Sequence, residues 1–158
     1  RMRHVLRFRL DTFSDPEFID FNSILPHDTT FGYGGGFVLD TDMYFIVSDG
    51  KHLVSMNADG QKTLHDLSGA AGSHKFIRGA VLGSSLFLIA HTMGATNGIN
   101  LLTSDLPLFD GTQLLSWAEP VSLPTDSSRS SSGIFVRHEV LYVGTYQGQV
   151  YKFPAAKA

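Results

Sequence analysis

A repeated pattern runs through most of this chain of 158 residues. Gly36, Gly79 and Gly133 each precede the same succession: a short apolar block, a polar turn, a longer apolar block, a hairpin turn and a third apolar block. The glycines are 43 and 54 residues apart. One such unit cannot bury both of its faces, so tandem copies are expected to stack into one continuous core.

The first and last copies align without gaps at an offset of 97 residues. This register places Phe37 on Ile134 and Phe45 on Tyr142, and beyond the hairpin turn it places Val54 on Tyr151. The middle copy fills the same two apolar blocks with residues 80–82 and 86–89. It differs in a longer turn, residues 92–98.

The apolar blocks alternate with a period of two and are rich in Val, Ile, Phe and Tyr. Gly, Asn, Asp and Ser interrupt them at short intervals, which is typical of short antiparallel strands. Only residues 106–117 approach a helical period, and Pro107 and Gly111 favour a loop with a turn there. The sequence therefore predicts an all-β domain.

Fourth strands are predicted at residues 62–67 and 119–123, and a third and a fourth strand near the N-terminus at 5–10 and 17–21. Four antiparallel strands in about 40 to 50 residues are typical of a β-propeller blade. We expect one domain, a partial β-propeller of about three four-stranded antiparallel blades. Its parts are third and fourth strands within 1–24, blades at 34–68 and 77–124, and three strands within 131–154. A β-sandwich is the alternative fold, but it does not explain the constant offset.

The last copy, SSGIFVRHEVLYVGTYQGQVYKF, resembles blades of the quinoprotein-like and WD-like propeller families. In those blades an LYVGT-type strand and a glycine turn lead into a V-Y-x-F strand. The chain lacks a Trp-Asp dipeptide, a Gly-His pair and a kelch pattern, and Trp117 is its only tryptophan. The resemblance therefore implies a propeller fold without a specific family or activity.

Composition excludes several classes of function. The net charge is −3 without a basic stripe, so neither a nucleic acid nor a membrane surface is an expected partner. The apolar runs are far shorter than the roughly 18 residues of a membrane span. The absence of cysteine excludes thiolate chemistry and leaves the redox compartment open, with the cytoplasm favoured. No cofactor or metal is expected. The first residue is Arg1, which suggests a processed product or a segment of a longer protein, or equally a purification scar.

The candidate ligand residues are His91 and Thr92, where the long turn of the middle copy begins, together with Asn97 in that turn. Phe109 and Trp117 would anchor a protein partner if exposed, and packing beneath their loop is the alternative. Histidines at turns or strand ends, His52 and His138, are expected to be solvated. No two histidines have the i, i+4 spacing of a zinc-binding helix, and no catalytic residue is assigned.

Two further patterns have structural explanations. Asp49-Gly50 and Asp59-Gly60 fit turns in which glycine adopts a positive φ and the carboxylate caps nearby N–H groups. The stretch FGYGGG, residues 31–36, resembles part of a phosphate loop, but no helix is predicted after it. We expect a flexible connector between blades there, and an exposed linker at residues 127–133.

The sequence favours a non-enzymatic interaction scaffold, although an enzyme is not excluded. Just over three blades fall short of the four to eight of closed propellers. The missing part would come from a protein partner, from remaining blades of the same polypeptide, or from a second copy in a homo-oligomer. The alternative is a carbohydrate-binding or glycosidase-type propeller, which would need aromatic residues at equivalent turns. His52, Gly98 and Gln149 do not supply them.

Overall fold

The computed structural model describes residues 4–7, 9, 11–12, 14, 16–26, 32–71, 74–92, 99–105, 109–110, 113–114, 121–122, 131–145, 148 and 150–154. Its strands are β1 His4–Arg7, β2 Glu17–Asp20, β3 Tyr33–Leu39, β4 Asp42–Val47, β5 His52–Met56, β6 Lys62–Asp66, β7 His74–Leu82, β8 Ser85–Thr92, β9 Ile99–Asp105, β10 Phe109–Asp110, β11 Gln113–Leu114, β12 Val121–Ser122, β13 Ser131–Arg137, β14 Val140–Thr145 and β15 Val150–Pro154. A single helical turn, α1, spans Ser68–Ala71.

The strands form four sheets, named here in chain order. Sheet 1 is β1–β2; sheet 2 contains β3 to β6 with β10 and β11 at its outer edge; sheet 3 has the order β12-β9-β8-β7; sheet 4 is β13-β14-β15. Consecutive strands within each repeat pair antiparallel. The first two strands of each repeat are joined by two-residue turns with a positive φ, at Asp40, at Gly83, and at His138 with Glu139.

Three apolar clusters join the sheets in sequence order. The cluster between sheets 1 and 2 contains Ile19, Phe21, Leu25, Val47, Val54 and Met56. Ile46, Leu53, Leu67, Leu86, Leu88 and Ala90 lie between sheets 2 and 3. Ala80, Leu82, Ile89, Leu141 and Val143 lie between sheets 3 and 4. Each sheet thus packs on the next, as propeller blades do. The all-β, partial-propeller prediction is confirmed, and four stacked sheets replace the two layers that a sandwich would have.

The prediction of a flexible connector at residues 31–36 is wrong for the part that the structure describes. Gly34, Gly35 and Gly36 lie within β3. A Cβ on Gly34 would lie 3.0 Å from the Ile77 carbonyl oxygen, and one on Gly35 would lie 3.0 Å from Arg78 Cδ. The glycines therefore allow the first strand of sheet 3 to approach closely, which is a common reason for glycine within a strand.

The repeat register of the last copy also needs a correction. The pair Phe37↔Tyr44 of sheet 2 corresponds to Phe135↔Tyr142 of sheet 4, an offset of 98 residues. The offset of 97 holds only from β15 onward, because the turn before β15 is one residue shorter than the turn before β5. A one-residue shift moves every side chain to the opposite face of a strand, so Phe135, and not Ile134, is the counterpart of Phe37.

The predicted loop at residues 106–117 contains the two short strands β10 and β11. They pair with each other, and Gln113 of β11 pairs in parallel with Asp66 of β6. A connection from sheet 3 thereby reaches the outer edge of sheet 2 at one residue pair. Pairing at an edge strand reduces the unpaired backbone that could otherwise template association.

Gly79 gives a test of the packing between sheets 2 and 3. A Cβ on Gly79 would lie 2.7 Å from Leu88 Cδ2 and 2.9 Å from Phe37 Cδ1. We expect Gly79→Ala to lower the free energy of unfolding by about 1–3 kcal/mol, the usual cost of overpacking. Urea denaturation measures it.

Gly133 provides the control, because a Cβ there would have no heavy atom within 4 Å. Gly133→Ala should change stability by less than about 0.5 kcal/mol. Equal losses for the two variants would contradict the packing described here.

Candidate functional site

The turn between β4 and β5 holds a partly buried polar cluster. Asp49 Oδ1 accepts hydrogen bonds from the backbone N–H groups of Lys51 at 2.8 Å and His52 at 3.1 Å. Asp49 Oδ2 lies 2.6 Å from His52 Nδ1, and a carboxylate can only accept, so this nitrogen donates. Gly50 has a φ of 73°, as the Asp-Gly pattern predicts.

His52 is therefore not solvated, contrary to the sequence prediction; its side chain is 18% exposed. Its Nε2 lies 4.0 Å from Asp66 Oδ1, at the end of β6. Hydrogen bonds from the Ser68 side chain and then its backbone N–H lower the pKa of Asp66. The imidazole thus lies between two carboxylates and ties the β4–β5 turn to the end of β6 and to α1.

The contacts within the Asp49–His52–Asp66 cluster are those of side chains that stabilise the local fold rather than those of a catalytic site. The Asp49 carboxylate already accepts from two backbone groups and one imidazole, and the Asp66 carboxylate caps the start of α1. Over the described ranges, no group of three or more His, Asp or Glu side chains is arranged to hold a metal ion. We assign this cluster a positioning role in the hairpin.

A second polar pair, Ser55 of β5 and His65 of β6, is buried in sheet 2. Ser55 Oγ lies 2.8 Å from His65 Nε2, and the two residues are 5% and 4% exposed. The His65 ring lies 5.6 Å from the Tyr44 ring. Burial lowers the pKa of His65 to about 4, so its imidazole is neutral at neutral pH. This pair was not predicted from the sequence, although its two polar residues interrupt the apolar positions of β5 and β6.

The structure places some of the predicted site residues and not others. His91 and Thr92 end β8, where their backbones pair with Lys75 and His74. This is the end of sheet 3 adjacent to the β4–β5 turn, because a Cβ on Gly50 would lie 2.6 Å from Lys75 Cβ. Phe109 belongs to β10, whose hairpin lies at the outer edge of sheet 2. The side chains of these three residues, and all of Asn97 and Trp117, lie outside the described residues.

Sheet 4 exposes an apolar face on its side away from sheet 3. Phe135 is 54% exposed and Val150 is 60% exposed. The rings of Phe135 and Tyr142 stack at 4.9 Å with an interplanar angle of 6°. Lys152 Nζ lies 5.9 Å from the centre of the Tyr142 ring. We call this surface the next-facing end.

The next-facing end has a buried counterpart in the same chain. Phe37 and Tyr44 of sheet 2 stack at 5.2 Å with an interplanar angle of 3°. Phe37 of this stack is partly buried and packs against the cluster shared by sheets 2 and 3, and Tyr44 is 8% exposed. The aromatic pair of sheet 2 is therefore more buried than that of sheet 4, where Phe135 is exposed and Tyr142 is partly buried.

At the other end of the stack, sheet 1 exposes the face that is turned away from sheet 2. Phe18 is 65% exposed and Leu6 is 43% exposed, and the two residues are paired across β1 and β2. His4 packs edge-on against Phe18 at 6.2 Å, and its Nδ1 lies 3.8 Å from Asp20 Oδ1. We call this surface the previous-facing end.

No helix in the described part of the chain is long and apolar enough to cross a bilayer.

Comparisons with known proteins give neither a family nor an activity for this chain. No protein-family model and no curated protein matches the chain. The chain is similar to virginiamycin B lyase from Staphylococcus aureus, a β-propeller protein, with a TM-score of 0.44 and 14% identity over 80% of this chain and 42% of the lyase. A catalytically inactive variant of that lyase with quinupristin gives 0.46 and 14%, over 84% of this chain and 44% of that one.

The computationally designed Ika4 protein gives a TM-score of 0.38 and 11% identity, over 82% of this chain and 93% of that chain. The chain spans less than half the length of the lyase. Scores this low carry no argument about either the fold or the activity of this chain. The partial-propeller fold follows from the sheets of this chain and their packing.

Proposed function

We propose that this chain is a non-enzymatic interaction segment of a larger β-propeller, and that other protein blades cover its two end faces. One observation carries the proposal: the Phe135–Tyr142 stack, in which Phe135 is exposed, repeats the Phe37–Tyr44 stack, in which Phe37 packs against sheet 3. Large contiguous apolar surfaces are uncommon on monomeric proteins and often mark interaction sites. Within this chain, the corresponding face of sheet 2 packs against another β-sheet, sheet 3.

The polar clusters support a non-enzymatic role. The Asp49 and Asp66 carboxylates hold local backbone groups, and His65 is buried and neutral. A carbohydrate-binding or glycosidase-type propeller would present recurring aromatic residues at its turns. The aromatic pairs that recur in the described residues, Phe37–Tyr44 and Phe135–Tyr142, lie on sheet faces instead.

Because the chain contains no cysteine, a single introduced thiol can report whether the next-facing end is covered. Val150→Cys should react quickly with a maleimide in dilute purified protein, and many-fold more slowly in cells that make the protein at its natural level. Ala58→Cys, in an exposed turn, is the matched control and should react equally in both settings. Equal reactivity of Val150→Cys in the two settings would rule out a covered end and overturn the proposed function.

A further inference from the structure

We propose that the two ends bind each other in a second copy of this chain, with the next-facing end of one copy packed on the previous-facing end of the other. This inference rests on the proposed function and deepens it by naming the partner. The next-facing end presents Phe135, Tyr142, Val150 and Lys152, and the previous-facing end presents His4, Leu6, Phe18 and Asp20.

The two exposed ends are the two kinds of sheet face that meet in every contact between sheets of this chain. In each such contact, the face of one sheet that is directed toward the next sheet packs on the face of that next sheet that is directed back toward it. Phe37 of sheet 2 meets Gly79 of sheet 3 in this way, with its Cδ1 2.9 Å from the position of a Cβ on Gly79. Among the described residues, one face directed toward a next sheet and one face directed toward a previous sheet are exposed. A second copy therefore continues the stacking that already joins its sheets.

Charge favours contact between unlike ends. Lys152 lies on the next-facing end. Arg137 lies on the same face as Phe135, because the two residues are two positions apart along β13. The described side chains of that face include no carboxylate. The previous-facing end carries Asp20, whose pKa is lowered chiefly by a backbone hydrogen bond from Asn22, so it is ionised at neutral pH. Two next-facing ends would bring like charges together, whereas unlike ends pair cations with a carboxylate.

Head-to-tail contacts between identical chains give either a closed ring or an open filament. The described strands of one chain form four sheets, so those of two copies form eight, which lies within the range of closed propellers. We therefore expect a ring of two copies. The contact joins a three-stranded sheet to a two-stranded one, so it is smaller than those inside the chain. Its dissociation constant should be on the order of micromolar.

Sedimentation equilibrium of the purified chain over a range of concentrations tests the inference. The mass should rise from 17.3 kDa toward twice that value as concentration increases. Phe135→Asp and Phe18→Asp, each on one end, should both remain monomeric. Ala58→Asp, in an exposed turn, should associate like the unchanged chain. Circular dichroism of each variant verifies that it is folded.

Mixing the two charged variants distinguishes unlike-end contact from other arrangements. The mixture should form a one-to-one pair, because the Phe18→Asp chain keeps an intact next-facing end and the Phe135→Asp chain keeps an intact previous-facing end. Dimers of either variant alone, or a monomer at every concentration of the unchanged chain, would overturn the inference. If the chain is monomeric while Val150→Cys is protected in cells, the proposed function stands and the partner is a different protein.

Discussion

Phe21→Ala should lower the free energy of unfolding by about 3–5 kcal/mol, the cost of removing a large buried aromatic side chain. Phe21 is fully buried where sheets 1 and 2 meet. Its ring lies 5.9 Å from each of the Tyr33 and Phe45 rings, and Lys62 Nζ lies 5.8 Å from its centre. Truncation would leave a cavity lined by two aromatic rings of sheet 2. Thermal unfolding should show a drop in Tm of roughly 10 °C.

Phe18→Ala is the matched control, because Phe18 has the same side chain three positions earlier and is 65% exposed. Measured at concentrations where the chain is a monomer, this variant should change stability by less than about 0.5 kcal/mol. If Phe21→Ala were as mild as Phe18→Ala, sheet 1 would not be packed on sheet 2 as described. The comparison therefore tests whether the two N-terminal strands belong to the stack.

The sequence was sufficient for the fold class because period-two alternation and repeat spacing are properties of the chain itself. It was insufficient for the register of the last copy, where Gly133 aligns with Gly36 by sequence but Ile134 occupies the corresponding position in the structure. The register of the last copy depends on which residues form the two-residue turn. There His138 and Glu139 both adopt a positive φ, although neither is a residue typical of such turns.

The glycines in the first repeat show a second kind of structure that the sequence pattern does not predict. The stretch Gly34-Gly35-Gly36 has the composition of a flexible loop, yet it forms a strand because Ile77 and Arg78 of the neighbouring sheet approach its backbone. Such an approach depends on tertiary contacts that no local pattern encodes. The same is true of His52, whose pairing with Asp49 and Asp66 depends on how β5 and β6 align.

The exposed ends follow from the strand count predicted from the sequence, but their chemistry does not. With an offset of 97, Phe135 takes the position of Val38, and the aromatic pair of sheet 4 has no counterpart in sheet 2. The observed register aligns Phe135 with Phe37 and Tyr142 with Tyr44. The correspondence between the two aromatic pairs therefore depends on a one-residue difference in register, which is visible only in the strand pairing of the structure.

The second large effect is a loss of stability in mild acid, caused by His65. Its pKa is near 6.5 in the unfolded chain, and burial lowers the pKa to about 4 in the folded protein. Between these values the unfolded chain binds the additional proton, so stability is complete above about pH 6.5 and falls as the pH decreases toward 4. The expected loss is about 2 kcal/mol at pH 5 and about 3 kcal/mol at pH 4. Urea denaturation at a series of pH values measures this loss.

A variant that cannot titrate isolates this contribution from those of other groups. His65→Gln keeps a polar side chain that can reach Ser55, so its stability should vary much less between pH 6.5 and pH 4 than that of the unchanged chain. His138→Asn removes an exposed histidine at a positive φ, which asparagine tolerates, and should leave the pH dependence unchanged. A pH profile of His65→Gln that parallels the unchanged chain would place the acid-sensitive group elsewhere. A flattened profile would show that the neutral imidazole in sheet 2 links the stability of this blade to pH.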